Sequence, residues 1–359
     1  MKKIIVFFIF LLTAASYGFC NESLSKELYV YNWKDYFAPD TIKNFEERFG
    51  VKVHLETFDS EEELIATLES YPEKYDVVIG SGNVTRGFIK KRLLLAINKK
   101  NIPNLSLMDP KFLGLDHDEK NEYSIPYLWG TTGIVVNRKF ISEDNSWEIL
   151  WNPKYQGKIA MLSGMDEVFG AVLKSLGFSC NTLNFAELKK AKGKMLAQKN
   201  LLAGYFETIA LRDKMIKEEL WAAHIYSGEG LFAMNENKNL EYFIPKEGAV
   251  IWVDSLMIPR DAPHPHTAEV FINYILEPQV SADIANYLWY ANCNIAARAL
   301  MQKEILESPA LYPSEDILKQ CEFLESSKIE DQFPGVRMFW KEAISVLQLN
   351  ENNRNEGMK

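Results

Sequence analysis

LYVYN (Leu28–Asn32), VKVHL (Val51–Leu55) and DVVIG (Asp76–Gly80) are three short apolar runs, and what lies between them decides the fold. Asp40 or Thr41 can start a helix that carries Ile42, Phe45 and Phe49 on one face and stops at Gly50. Ser60 with Glu63 makes a capping box ahead of Leu64, Ile65 and Leu68. After DVVIG, Ser81-Gly82-Asn83 turns into a third helix from about Val84 to Lys91. Strand and helix thus alternate three times, which predicts an α/β fold with a parallel sheet and helices on its faces. In such sheets ligands sit beyond the carboxyl ends of the strands, where Trp33, Tyr36, Ser81 and Asn83 fall. The GSG turn by itself is weak support for a nucleotide and reads equally as a strand-to-helix turn.

Farther along, SIPYLWGTTGIVVN (Ser124–Asn137) reads as an extended segment followed by a strand from about Thr132, crossing into a second lobe. Trp147 to Trp151 is a short helix, and Lys158 to Leu162 a strand. Ser163 or Asp166 is then the expected cap of a helix from Glu167 to Leu176. Helical spacing marks 184–198 and 209–217; strands are expected at Ala222 to Tyr226 and Leu240 to Ile244, with a helix through Leu231 and Met234 between them. Beyond Pro259, helices are expected over 268–276, 280–288, 296–306, 317–324 and 339–349, with a polar tail at 350–359. No repeat and no low-complexity tract is present.

The chemistry concentrates in KEGAVIWVDSLMIP (Lys246–Pro259). Its β-branched run makes a buried strand, yet it carries Trp252 and, two positions on, Asp254. Side chains two apart on a strand share a face, so an indole and a carboxylate look into one space. That pair suits an organic cation, because the carboxylate neutralises charge while the ring offers a π face worth about 0.5–2 kcal/mol. A core Trp beside a capping or salt-bridged Asp explains the same two residues. Aromatics and carboxylates recur at strand ends in both halves: Trp33, Tyr36, Glu167, Tyr226, Trp252 and Asp254. A polyamine wants this mixture, with acidic acceptors for its ammonium groups and flat walls for its methylenes.

Length and charge set the bounds. A chain of 359 residues with 47% apolar and 25% charged residues is an ordinary globule large enough for two lobes. A net charge of −9 disfavours nucleic acid or an anionic membrane as partner and mildly favours a cationic one. Residues 1–19 read as a signal peptide: Lys2 and Lys3, an apolar core from Ile4 to Leu12, then small residues. Cys20 leaves two destinations open, a lipid-anchored protein and a freely exported one, since Phe19 departs from the small residue usual before a lipidated cysteine. Cys180, Cys293 and Cys321 are too widely spaced for a metal motif, and their pairing stays open. No GxSxG, HExxH or GxxxxGK occurs, and His264 with His266 in DAPHPHTA reads as a helix start rather than a metal site. No catalytic residue, cofactor or metal is expected.

YNWKDY, YSIPYLWGTTGIVVN, DEVFGAVLKSLGF, WVDSLMIP and NIAAR, in that order, closely resemble the periplasmic spermidine/putrescine-binding proteins of polyamine ABC importers. The resemblance spans nearly the whole mature chain. It implies a type II periplasmic-binding-protein fold, two α/β lobes joined by crossing strands and closing on the ligand like a clamp. The expected lobes are 27–134 with 257–308 and 135–256 with 309–349. By position, Trp33 and Tyr36 match the family's aromatic wall, Ser81 a hydroxyl contact, Glu167 an ammonium acceptor, Trp252 and Asp254 the central ring and carboxylate, and Tyr290 a further ring. Departures are Asn83 for a common tyrosine, Tyr226 for a tryptophan, Gly164 for an aspartate that Asp166 replaces, Leu324 for a glutamine, and Lys34 for a small hydroxyl residue; Asp35 is a weaker candidate contact. The resemblance further implies a monomeric receptor in the periplasm that serves an inner-membrane permease and its ATPase. Other readings are a receptor of the same fold for ferric iron or another small cation, a polyamine-sensing surface protein, and an enzyme of similar build for which no nucleophile-base pair can be named.

Overall fold

The computed structural model describes residues 23–143 and 145–325. β1 (Glu27–Trp33), α1 (Thr41–Phe49), β2 (Lys52–Phe58), α2 (Glu61–Ser70), β3 (Val77–Ser81) and α3 (Gly82–Lys90) alternate in the expected rhythm. Gly50 ends α1 at φ 64°, a conformation that costs a glycine nothing, and its N–H donates to the Glu46 carbonyl. Ser60 caps α2 by accepting from the Glu63 N–H at 3.2 Å. β1 lies between β2 and β3 and runs parallel to both, so the carboxyl ends of all three open on one side.

β4 (Ser124–Asn137) is a single 14-residue strand, buried throughout, where the sequence suggested a strand only from about Thr132. Pro126 is accommodated because the β4 register shifts between Pro126 and Trp129, the kind of irregularity at which a missing N–H is tolerated. Downstream come β5 (Ile159–Leu162), α4 (Met165–Ser175), α5 (Phe185–Ala197), β6 (Leu202–Phe206), α6 (Thr208–Ile216), β7 (Ala222–Tyr226), α7 (Ser227–Glu236), β8 (Leu240–Phe243) and β9 (Val250–Met257). α8 (Pro265–Ile275), α9 (Pro278–Leu288), β10 (Ala291–Asn292), α10 (Lys303–Leu306), α11 (Glu315–Leu318) and β11 (Glu322–Phe323) complete the described chain.

Four expectations need correcting. α4 begins at Met165 with Gly164 as its cap, so neither Ser163 nor Asp166 caps it; Ser163 donates to Glu207 instead. β6 was not foreseen. The helix expected over 296–306 breaks into a 3-10 turn (Ala296–Leu300) and α10, because the Gln302 N–H is drawn to Asn286 Oδ1 at 2.8 Å. The one expected over 317–324 becomes α11 and the strand β11, whose Glu322 is held by Lys174 and Ser179. The expected signal peptide, Cys20, the helix over 339–349 and the tail lie outside the described residues.

The strands form one curled mixed sheet in the order β2-β1-β3-β9-β4-β7-β5-β6, with β8 and β10 on β4 and β11 on β9. β4 does the joining. Its residues 124–131 pair antiparallel with β9, whereas 132–137 pair with β7 and β8. β5 runs parallel to both β6 and β7, so the second half repeats the build of the first. Cys180, Cys293 and Cys321 are buried free thiols.

Candidate ligand-binding site

Sheet register brings the strand ends of both halves to the middle of the β4–β9 pair. Ser81, the last residue of β3, stands opposite Asp254, and Tyr226, the last residue of β7, stands opposite Thr132. Between them Trp252 stands opposite Gly130. The glycine is needed there, since a Cβ would come within 2.5 Å of the indole and 2.9 Å of Ser227 Oγ.

Around Trp252 the rings interlock edge to face. Its centroid lies 5.3 Å from Tyr290 and 5.9 Å from Tyr226, and Tyr290 in turn lies 6.0 Å from Tyr36. The Tyr36 hydroxyl donates to Asp254 Oδ2 at 2.8 Å, and Tyr127 donates to the Tyr36 carbonyl at 2.9 Å. Trp252 and Asp254 thus face one ring-walled space. Burial pushes Tyr36, Tyr127, Tyr226 and Tyr290 well above the ordinary phenol range, so all four remain neutral.

Three carboxyls share this space. Desolvation raises Asp254 to about 6, with the Tyr36 hydroxyl pulling the other way. Glu167, in the first turn of α4, is raised by desolvation to about 8 while Thr132 partly offsets it; Asp166, Glu61 and Asp254 add repulsion. Glu167 Oε2 is buried with no hydrogen-bond partner among the described residues. Glu61, the first residue of α2, is raised by desolvation to about 7, with Ser81 opposing and Asp166 and Asp254 repelling. None of the three forms an ion pair among the described residues. Desolvated acids without a cation fit a ligand that brings the positive charge with it.

The structure therefore gathers Tyr36, Ser81, Glu167, Tyr226, Trp252, Asp254 and Tyr290 from the sequence-based set. Asp166 lies half-buried beside Glu167 and acts on it electrostatically. Trp33 stands at the carboxyl end of β1 with its ring 4.5 Å from Phe58, and its indole N–H is buried without a partner. Asn83 is half-buried in the first turn of α3, and Asp35 is exposed at φ 55°. No hydrogen bond or ring contact ties either of these two to the ring cluster among the described residues. Lys34 is exposed as well. Sequence reasoning missed Glu61, Thr132, Tyr127 and the fully buried Ser227, whose hydroxyl has no partner. The available signal was position: Glu61 follows β2 and Ser227 follows β7, each just past a strand's carboxyl end.

The DAPHPHTA histidines serve structure. The His264 N–H and ring nitrogen both meet the buried Asp76, at 2.6 and 3.1 Å, and His266 lies 3.3 Å from Asn101. Among the described residues no group of three or more His, Cys, Asp or Glu is placed to hold a metal ion.

Comparison with known proteins identifies the family. The family model for bacterial extracellular solute-binding proteins matches residues 72–321. The spermidine/putrescine-binding periplasmic protein of Escherichia coli K12 is 32% identical over 299 residues, covering 82% of this chain and 86% of its own length. The putrescine-binding periplasmic protein SpuD of Pseudomonas aeruginosa is 32% identical over 323 residues, covering 84% and 88%. Among solved structures, the spermidine/putrescine ABC transporter substrate-binding protein PotD of Streptococcus pneumoniae superposes with a TM-score of 0.77 at 30% identity, over 88% of this chain and all of that one. The curled mixed sheet is accordingly the two-lobed type II periplasmic-binding fold, and the chain belongs to the bacterial extracellular solute-binding protein family.

Proposed function

We propose that this protein is an extracytoplasmic receptor that captures a polyamine, putrescine or spermidine, between two lobes and hands it to an ABC permease driven by a cytoplasmic ATPase. The observation that carries the reading is Asp254: an acid 8% exposed, held by Tyr36, on the same face as Trp252 and with no cation of its own among the described residues. A polyamine supplies the missing charge, and its methylenes fit against Trp252, Tyr290 and Tyr226. The relatives named as spermidine/putrescine-binding and putrescine-binding proteins support the same choice. Ferric iron would leave the rings idle and would need converging oxygen or histidine ligands.

The lobes are 27–134 with 257–308 and 135–256 with 309–349, of which 326–349 lie outside the described residues, hinged where β4 and β9 pass from one to the other. The protein works as a monomeric receptor rather than an enzyme. Residues 1–19 direct it to the periplasm, and Cys20 is the residue through which an anchored form would be lipidated. Calorimetric titration of the mature chain with putrescine and spermidine tests the reading. Micromolar affinity, about −8 kcal/mol, or better is expected for at least one of them; no heat and no thermal shift with either would refute polyamine binding.

A further inference from the structure

We propose that Glu61 is a third cation-accepting carboxylate of the cleft and that it makes the site favour a polyamine with three ammonium groups over one with two. The inference rests on the polyamine reading and deepens it. Glu61 opens α2 directly after the capping Ser60, at the carboxyl end of β2. Acidic residues in a first helical turn ordinarily face water and are favoured there by the helix dipole. Its neighbour Glu62 is exposed in that way, and Glu63 turns back to accept from the Asp59 N–H and the Tyr31 hydroxyl. Glu61 behaves otherwise: it is half-buried, and Leu64 one turn on packs over Gly80, where a Cβ would come within 2.9 Å of Leu64 Cδ2, so the first turn of α2 lies against the carboxyl end of β3 beside Ser81. Desolvation raises its carboxyl, with Ser81 opposing and Asp166 and Asp254 repelling.

Three acids therefore enter one space from three elements, Glu61 from α2, Glu167 from α4 and Asp254 from β9. The groups acting most strongly on them are hydroxyls and other carboxylates, with no lysine or arginine among them. Two further atoms point to a guest in the same place. Glu167 Oε2 and the hydroxyl of the fully buried Ser227 are both cut off from water and have no partner among the described residues. Ser227 Oγ lies 2.9 Å from where a Gly130 Cβ would stand, on the side taken by the Trp252 indole.

Charge counting then separates ligands. A diamine neutralises two of the three carboxylates and leaves the third to keep a proton, forfeiting its attraction. A triamine can satisfy all three, so loss of Glu61 should cost a triamine far more than a diamine. The test is titration of wild type and Glu61→Gln with spermidine and putrescine at one pH and ionic strength. Wild type should bind spermidine more tightly, and Glu61→Gln should weaken spermidine at least 10-fold while changing putrescine less than 3-fold. Equal losses for both ligands, no loss, or tighter putrescine binding by wild type would overturn the assignment while leaving polyamine binding intact. Failure of wild type to bind either amine is a different result and refutes the reading beneath it. Ligand-free Glu61→Gln should unfold at or above the wild-type midpoint, because a neutral amide replaces a desolvated acid; a clear fall would show Glu61 to be a structural residue and also overturn the proposal.

Discussion

Asp254 carries two jobs that a single substitution can separate. It accepts the Tyr36 hydroxyl at 2.8 Å, and it offers a negative charge to the space beside Trp252. Asparagine keeps the shape and a carbonyl acceptor for Tyr36, so Asp254→Asn removes the charge while keeping the hydrogen bond. A desolvated ammonium deprived of its counter-charge loses about 2–5 kcal/mol. The expected result is therefore a polyamine affinity reduced about 30-fold or more by calorimetry, with the unfolding midpoint of the free protein unchanged or raised. An unaltered affinity would make Asp254 a carboxylate that serves only Tyr36. Trp252 and Asp254 could be read from the sequence because strand periodicity alone decides that residues two apart share a face. Glu61 is marked only by its place past the carboxyl end of β2; what the first residue of a helix faces depends on the neighbouring strands, here β3 with Ser81, and not on local spacing.

At the scale of elements, a glycine lets α7 pack tightly on the segment before β10. Gly228, in the first turn of α7, packs against Tyr290, the residue before β10, and a Cβ there would lie 2.4–2.7 Å from the Tyr290 ring carbons. α7 follows β7 in one half, while β10 pairs with β4 residues Leu128 and Trp129 in the other. An alanine at this point of a helix would ordinarily stabilise by about 0.5–1 kcal/mol. In Gly228→Ala the added methyl meets the Tyr290 ring; with the lobes parting as proposed in the free protein, the cost falls on the closed form. The expected outcome is polyamine affinity weakened 10-fold or more, with the ligand-free unfolding midpoint equal to or above wild type. A loss of stability without ligand would mean that the contact persists in the free protein. Such contacts leave no trace in local sequence pattern, and other elements show the same limit. Strands β1 to β3 were legible because helices with caps at Ser60 and a stop at Gly50 separate them. LAGYF of β6 was not, since five residues between two helices have too little alternation to stand out. The region 296–306 has helical spacing, yet Asn286, from outside it, takes the Gln302 N–H at the point where it breaks in two, while Asn294 only caps its start.

For the molecule as a whole, the acids of the cleft make ligand-free stability depend on pH in a direction opposite to that of ordinary surface carboxylates. Glu61, Glu167 and Asp254 have folded-state values raised to about 7, 8 and 6 from the usual carboxylate range. A raised value means that the folded state holds protons the unfolded chain has released, so their contribution is full below about pH 4 and is lost as pH climbs through 6 to 8. The buried His224, lowered to about 3, and His117, lowered to about 4, work the other way, but only below the ordinary histidine value near 6.5. Between pH 6.5 and 8 the carboxyls therefore act with little opposition. The groups facing them are Asp166, Ser81, Thr132 and the tyrosines 36, 226 and 290, whose phenols stay neutral there. The unfolding midpoint of the free protein should fall as pH rises across that window, and Glu167→Gln should flatten the slope. A polyamine replaces the protons with its own charge, so its addition should restore the midpoint, more at pH 8 than at pH 6.5, and titration near pH 7 should release protons into the buffer. Calorimetry in two buffers of different ionisation enthalpy measures that release directly. Identical heats in the two, together with a flat midpoint between pH 6.5 and 8, would mean that the cleft acids are already ionised before the ligand arrives.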